Sequence, residues 1–173
     1  MGRKKHTEAY EWAQIICGAL VFILLVYTFL FRTVDVHGTS MWPTFDNGEK
    51  LVLSSAPYTP RYGDVVVVNR GETQEPLIKR VIAVAGDTVE IDAETGAVYR
   101  NGKELNETYI TVPTCTEQME GVVTVGEGEV FIMGDNRKPS QSWDSRSFGC
   151  VREEDIVGKV CFRLYPFDRF GGI

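Results

Sequence analysis

Residues 76–84 read Pro76-Leu77-Ile78-Lys79-Arg80-Val81-Ile82-Ala83-Val84. Aliphatic residues dominate this run, which favours a strand and is too apolar for an ordinary exposed one. Because side chains alternate between the two faces of a strand, each face is expected to carry one cation among aliphatic groups. The first face holds Leu77, Lys79, Val81 and Ala83, and the second holds Ile78, Arg80, Ile82 and Val84.

The two cations of this strand allow two interpretations. Both side chains could carry their charged ends to water over their apolar stems. Alternatively, Lys79 is buried and neutral, because burial can lower a lysine pKa of ~10.4 by up to about 3 to 5 units. A 3-unit shift costs roughly 4 kcal/mol of stability, which only a function would justify. Arg80 could not serve as a base, since its guanidinium stays protonated.

Similar short apolar runs recur along the rest of the chain between turn signals. They cover residues 51–53, 65–68, 77–84, 88–91, 122–125, 130–133 and 156–162. Asn101-Gly102 follows Ala97-Val98-Tyr99 and predicts a type I′ hairpin, which requires positive φ angles. Sustained helical periodicity is absent from the sequence after residue 31. The fold class predicted is mainly β, with an antiparallel β-rich catalytic domain after an N-terminal transmembrane helix.

The helix is predicted over residues 12–31, which carry no formal charge and are long enough to cross a bilayer. Arg3, Lys4 and Lys5 favour a cytoplasmic N-terminus. The predicted organisation is a cytoplasmic tail (1–11), a single-pass anchor in the cell membrane (12–31) and an extracytoplasmic domain (32–173). A cleavable signal peptide is the alternative, but its apolar segment would be shorter and Arg32-Thr33-Val34-Asp35 is not a small-residue cleavage motif.

Composition excludes several partners. The 173 residues have a formal net charge of -6, and the chain has no basic patch for nucleic acid. Neither a CxxC pair nor an HExxH motif occurs, so we predict no metal and no cofactor. Cys17 lies in the predicted anchor, which leaves three cysteines outside it. One disulfide with a free thiol, or no disulfide, remains open.

Two polar segments could carry chemistry. The first reads Gly38-Thr39-Ser40-Met41-Trp42-Pro43-Thr44-Phe45, in which Ser40 is either an exposed nucleophile or a turn residue. The second comprises Met133-Gly134-Asp135-Asn136-Arg137 and Ser142-Trp143-Asp144-Ser145-Arg146. It is either a solvated loop or a hydrogen-bonded scaffold near the site, in which Asp144 and Arg146 could pair.

These segments occur in an order that resembles the bacterial type I signal peptidases. The matching motifs are Ser40-Met41-Trp42-Pro43-Thr44, Gly63-Asp64-Val65-Val66, the run from Lys79 to Asp87, and Gly134-Asp135-Asn136-Arg137 with Asp144-Ser145-Arg146. The resemblance implies a membrane-bound serine endopeptidase without a metal. Such an enzyme removes signal peptides from exported preproteins and cuts after small residues. Its expected partners are signal-peptide-bearing preproteins and the lipid bilayer.

The resemblance also implies residue roles. Ser40 is the nucleophile and Lys79 the general base, while Asp135, Asp144 and Arg146 support the site. Some members place a hydroxyl two residues before the nucleophile to hold the oxyanion. Gly38 stands there in this chain, so the Ser40 amide is expected to do so.

A two-residue departure from the family pattern leaves one role open. Lys138-Pro139-Ser140-Gln141 precedes Ser142, so either Ser140 or Ser142 could be the serine that hydrogen-bonds the lysine. Ser142 keeps the spacing to Asp144 and is favoured.

Two rival functions remain. A self-cleaving Ser-Lys protease of the repressor type lacks support, because the chain has no DNA-binding segment. A membrane-tethered β module that binds a partner without chemistry would lack an activated Ser40 hydroxyl. Trp42 and Phe45 flank Ser40 and are expected either to enter the membrane interface or to belong to the core.

Overall fold

The computed structural model describes residues 2–69, 71, 75–116, 119 and 121–173, and in the N-terminal helix the side chains of residues 10–25, 27, 28 and 30. In chain order the elements are α1 (Gly2–Leu30), β1 (Phe31–Asp35), β2 (Lys50–Ser54), β3 (Val65–Val68), β4 (Leu77–Val84), β5 (Thr88–Ile91), β6 (Val98–Arg100), β7 (Lys103–Glu104), β8 (Val123–Thr124), β9 (Glu129–Met133), α2 (Ser145–Phe148), β10 (Val151–Arg152), β11 (Ile156–Tyr165) and β12 (Gly171–Gly172). Single 3-10 turns cover Glu153–Asp155 and Phe167–Arg169.

The described strands form two antiparallel sheets. The larger sheet has eight strands in the order β1-β2-β11-β3-β4-β9-β10, with β12 paired to β11. The smaller sheet has four strands in the order β7-β6-β5-β8. Three clusters of buried apolar residues form the core, and one of them joins β4 and β9 to the smaller sheet. The fold is therefore mainly antiparallel β, as the sequence predicts.

Strand β3 shows why the larger sheet is stable. Val65 and Val67 pack with Phe45 on one face, while Val66 and Val68 pack with Val81 on the other. All four valines of β3 are at most 2% exposed. Full burial of such a side chain contributes about 1.5 to 3 kcal/mol, so this strand fixes the centre of the sheet.

The predicted faces of β4 are correct only for part of the strand. Val81 packs in the cluster of Val66, whereas Ala83 packs in the cluster of Phe131. The pairing of β4 with β9 shifts register between Val81 and Ala83. Such an irregularity places an extra residue in one strand and reverses the faces that follow. The prediction that these two residues share a face is therefore wrong.

The hairpin at Asn101-Gly102 is confirmed. Asn101 has φ +53° and Gly102 has φ +72°, and β6 pairs with β7 across the turn. Positive φ at both central residues is the requirement of a type I′ turn. An Asn-Gly pair meets it at little steric cost.

The N-terminal segment differs from the prediction. The described large apolar side chains of α1 are exposed, from 38% for Leu30 to 73% for Tyr10. The structure does not support the transmembrane anchor predicted over residues 12–31, because none of the helices in the described part of the chain has the length and apolar character needed to span a membrane. Phe31 already pairs with Ser54 in the sheet, so α1 ends before the predicted boundary. The cations at 3–5 lie outside the described side chains.

Candidate active site

Ser40 lies in the loop between β1 and β2, and two buried neighbours fix that loop to the core. Met41 and Phe45 are 1% and 0% exposed and belong to the cluster that includes Val65. The Phe45 amide donates to the Met41 carbonyl at 2.9 Å, which closes a turn just after Ser40. Gly38 has φ +80°, a conformation that glycine adopts without strain, and its amide donates to the Asn47 side chain at 2.8 Å.

Lys79 reaches this loop from the middle of β4. Its Nζ donates to Ser40 Oγ at 2.7 Å and to the Ile78 carbonyl at 3.1 Å. The side chain is 2% exposed, and Arg80 is 8% exposed. The interpretation in which both charged ends reach water is therefore wrong.

Burial lowers the pKa of Lys79 from 10.5 to about 8. The charge of Asp144 opposes this shift and that of Arg146 adds to it. A lysine with this pKa is partly neutral near pH 7 and can accept a proton there.

The backbone of residues 134–136 holds the Ser40 loop from one side. The Asn136 amide donates to the Ser40 carbonyl at 3.0 Å, and Asn136 Nδ2 donates to the Thr39 carbonyl at 3.0 Å. At Gly134 a Cβ would stand 2.4 Å from the Ser40 carbonyl oxygen and 2.2 Å from Ser142 Oγ. Glycine is therefore required here by close approach of the two segments.

Asp135 links β4 to the same loop. It accepts two hydrogen bonds from Arg80, at 2.9 Å from Nε and 2.7 Å from Nη2. Thr44 Oγ1 donates to its Oδ2 at 2.5 Å. Asp135 is 1% exposed, and a bidentate pair of this kind is among the stronger hydrogen-bonded contacts in proteins. Asp135, predicted to support the site, thus contacts the Ser40 loop through Thr44.

Asp144 and Arg146 form the pair that the sequence allows. The Arg146 guanidinium donates two hydrogen bonds to the Asp144 carboxylate, at 2.9 Å and 2.8 Å. Asp144 also accepts from the Gly134 amide at 2.9 Å and from Ser142 Oγ at 2.6 Å. Burial raises the pKa of the Asp144 carboxyl, but the hydrogen bond and charge of Arg146 outweigh it and hold the pKa below its ordinary value. Asp144 also caps α2 by accepting from the Arg146 amide.

The two candidate serines differ in environment. Ser142 is 5% exposed and touches the space that a Gly134 side chain would need. Ser140 is exposed and has φ +57°. Ser142 is therefore the serine that lies beside the loop, and its hydroxyl proton is directed to Asp144.

Several further residues contribute to the site without having been assigned a role from the sequence. Arg137 is 0% exposed and donates through Nε to the Gly134 carbonyl at 2.8 Å. Glu107 accepts from both of its terminal nitrogens, at 2.9 Å and 2.5 Å. Arg137, Thr44 and Asn136 stand in the quoted motifs, but Glu107 lies in a loop whose composition does not point to the site. The contact of Glu107 with Arg137 joins residues 30 apart in sequence, so it is found only from the fold.

Other predictions near the site have mixed outcomes. Phe45 is fully buried, so its proposed entry into a membrane interface is wrong and its core assignment is confirmed. Trp42 is 36% exposed, with the Lys138 ammonium 5.3 Å from its ring centre. All four cysteines are free thiols, which selects the alternative without a disulfide. The absence of a metal and a cofactor stays a prediction.

The chain is similar in sequence to known signal peptidases. The family model "Signal peptidase, peptidase S26" matches residues 9–165. Signal peptidase I of Bacillus licheniformis is 35% identical over 176 residues, covering 95% of this chain and 92% of that protein. Probable signal peptidase I-1 of Synechocystis is 37% identical over 168 residues, covering 91% of this chain and 83% of that protein. Signal peptidase I T of Bacillus subtilis is 35% identical over 181 residues, covering 95% and 90%. The chain belongs to the signal peptidase family, peptidase S26.

Proposed function

We propose that Ser40 and Lys79 are the catalytic dyad with which this chain hydrolyses the peptide bond that joins a signal peptide to its preprotein. The chain is a serine endopeptidase of the signal peptidase I type, and signal-peptide-bearing preproteins are its substrates. The observation that carries the proposal is the 2.7 Å contact between the Ser40 hydroxyl and a buried lysine amine. A pKa of about 8 for Lys79 makes the amine available as a base near neutral pH.

The proposed reaction is acyl transfer. Neutral Lys79 accepts the Ser40 proton while Oγ attacks the scissile carbonyl, and the Ser40 amide donates to the oxyanion that forms. One such donor is worth roughly 2.7 to 4 kcal/mol of transition-state stabilisation. Lys79 then gives its proton to the leaving amine, and the signal peptide stays esterified to Ser40.

Deacylation reverses the roles. Lys79, neutral again, takes a proton from water, which attacks the ester carbonyl and releases the signal peptide with a free carboxylate. Ser40 recovers its proton from Lys79. Each half-reaction therefore uses the same pair of atoms, Lys79 Nζ and Ser40 Oγ.

The surrounding polar groups support this dyad by position. Asp135 and Asp144 are each paired with an arginine, so their negative charges are balanced inside the protein. A free carboxylate in their place would favour protonated Lys79 and weaken the base. Ser142 fills the space between Gly134 and Asp144, beside the Ser40 carbonyl. Gly38 leaves the oxyanion position to the Ser40 amide.

The proposal includes attachment to a lipid bilayer through residues 12–31. The exposed apolar side chains of α1, among them Trp12 at 66% and Phe22 at 67%, support it, because exposed apolar surface of this extent marks a contact with lipid or protein. The tail 1–11 then lies in the cytoplasm and residues 32–173 lie outside it. Confinement to one plane raises the effective concentration of membrane-held substrates. Cleavage follows small residues, as in the type I signal peptidases that the motifs resemble.

The test is cleavage of a model preprotein by the detergent-solubilised full chain, with sequencing of the new N-terminus. We expect one new N-terminus after a small residue, and none from the Ser40→Ala protein. His37→Ala is the matched control, since His37 lies three residues before Ser40 and is exposed. Cleavage by Ser40→Ala, or its loss in folded His37→Ala, would refute the proposed dyad.

A further inference from the structure

Arg163, near the end of β11, reaches the loop that carries Ser40. Its Nη2 donates to the Thr44 carbonyl, four residues after Ser40 and 119 residues before Arg163. Its guanidinium carbon lies 5.1 Å from the ring centre of Phe45. Two consecutive residues of the loop therefore rest on one side chain.

Glu49 fixes the orientation of that guanidinium. Its Oε2 lies 2.8 Å from Arg163 Nε, as an ion pair rather than an aligned hydrogen bond. The side chains of Arg163 and Glu49 are 15% and 3% exposed, so solvent screens the pair weakly. Arg169 also contacts Glu49 at 3.4 Å and anchors to Asp46 at 2.7 Å. The carboxylate is thus held from two sides while Nη2 points at Thr44.

With the contact of Arg163, the Ser40 loop is hydrogen-bonded from two sides. Asn136 holds the Ser40 carbonyl, and Asp135 accepts from the Thr44 hydroxyl, both from the side of β9. Arg163 holds the Thr44 carbonyl from the side of β11. Thr44 lies inside the turn that the Phe45 amide closes on the Met41 carbonyl, directly after Ser40. A displacement of Thr44 is therefore expected to displace Ser40 relative to Lys79.

We propose that Arg163 is a positioning residue that holds Ser40 Oγ within reach of Lys79 by gripping Thr44 from the opposite side to Asp135. The inference rests on the proposed dyad. A displacement of about 1 Å between reacting groups can cost on the order of 100-fold in rate. Loss of these contacts should therefore lower kcat more than it changes KM, because the expected displacement acts on the distance between Ser40 Oγ and Lys79 Nζ.

The experiment compares Arg163→Ala with Arg152→Ala in the detergent-solubilised full chain, using a model preprotein. Arg152 is a matched control, since it pairs with Glu154 and Asp155 at the surface and its side chain is 64% exposed. We expect kcat of Arg163→Ala to fall roughly 10- to 100-fold with KM within about 2-fold, and Arg152→Ala to match the unmodified chain. Equal kcat for both variants would overturn the inference.

Chemical rescue separates positioning from loss of fold. Methylguanidinium at millimolar concentration should restore part of the kcat of Arg163→Ala and leave Arg152→Ala unchanged, because it can occupy the space between Glu49 and Thr44. A merely destabilised variant would gain nothing from this cation, and that result would overturn the inference.

If Arg163→Ala does not fold, Arg163→Lys decides the question. It keeps the charge beside Glu49 but cannot bind Glu49 and Thr44 in the same fork, so kcat per folded molecule should still fall. Full kcat in Arg163→Lys would contradict the grip. Cleavage that survives in Ser40→Ala would instead refute the dyad, so the two failures are distinguishable.

Discussion

The Lys79 side chain is 2% exposed, and burial lowers its pKa from 10.5 to about 8. Between these two pH values the unfolded chain binds more protons than the folded one, so stability rises with pH across this window. Below about pH 8 the folded protein carries the whole cost of burying the ammonium. A shift of this size corresponds to about 3 kcal/mol.

Lys79→Met should therefore raise the free energy of unfolding at about pH 7, by up to roughly 3 kcal/mol, while abolishing cleavage. At about pH 10.5 the two proteins should be similar, because the lysine is then neutral in the folded chain and half neutral in the unfolded chain. Urea unfolding of the full chain in detergent at both pH values measures this. A Lys79→Met protein that keeps the same rise in stability between them would show that another group titrates.

The residue-level roles were only partly predictable. The pattern of residues 77–84 left open whether Lys79 is buried, since a long stem can reach water from an apolar face. Three-dimensional packing decides the matter, because β3 and β9 flank β4 on both edges. Asp135, 55 residues from Arg80, supplies the counter-charge that lets the neighbouring arginine be buried as well. No local pattern contains that pairing.

At the scale of elements, the close approach of residues 134–136 to the Ser40 loop gives a second prediction. Gly134→Ala would place a Cβ 2.4 Å from a backbone oxygen, which cannot move aside without shifting Ser40. We expect a loss of about 1 to 3 kcal/mol in stability and a large loss of kcat. The measurement is cleavage rate per folded molecule alongside thermal unfolding.

Gly126→Ala is the control for this substitution. Its Cβ would meet the Glu129 carboxylate at 2.7 Å, and that flexible side chain can turn away. We expect near-normal activity. Equal activity in the two alanine variants would show that the contact of Gly134 with Ser40 does not constrain the site.

Strand positions were predictable because apolar runs bounded by turn residues carry most of the signal. All seven predicted runs contain or overlap strands, from β2 to β11. β1 was missed because Phe31 continues the apolar run of the helix and its strand pairing with β2 is long-range. The face reversal in β4 was missed because the shift against β9 leaves no trace in composition.

At the scale of the whole molecule, α1 and the β domain differ in how they expose apolar surface. The apolar core residues of the two sheets are buried, whereas the described large apolar side chains of α1 are exposed. If a bilayer covers α1, as we propose, Trp12 will be quenched by brominated acyl chains in vesicles that contain the full chain. In the double variant Trp42→Phe/Trp143→Phe, Trp12 is the one remaining tryptophan, so all tryptophan fluorescence comes from α1.

The control is the double variant Trp12→Phe/Trp42→Phe, which retains Trp143. Trp143 lies beside α2 in the β domain and is 50% exposed, so we expect weaker quenching by the same lipids. Emission of Trp12 that is indifferent to brominated lipid would contradict the proposed attachment.

The central claim is that Lys79 is the base for Ser40, and the pH dependence of preprotein cleavage by Lys79→Arg and unmodified protein tests it most directly. For the unmodified chain, kcat/KM should rise with pH through a midpoint near 8, as Lys79 loses its proton in the free enzyme. Lys79→Arg keeps the charge but cannot deprotonate, so it should show no cleavage from about pH 6 to about pH 10. Cleavage by folded Lys79→Arg with the same pH profile would contradict the account.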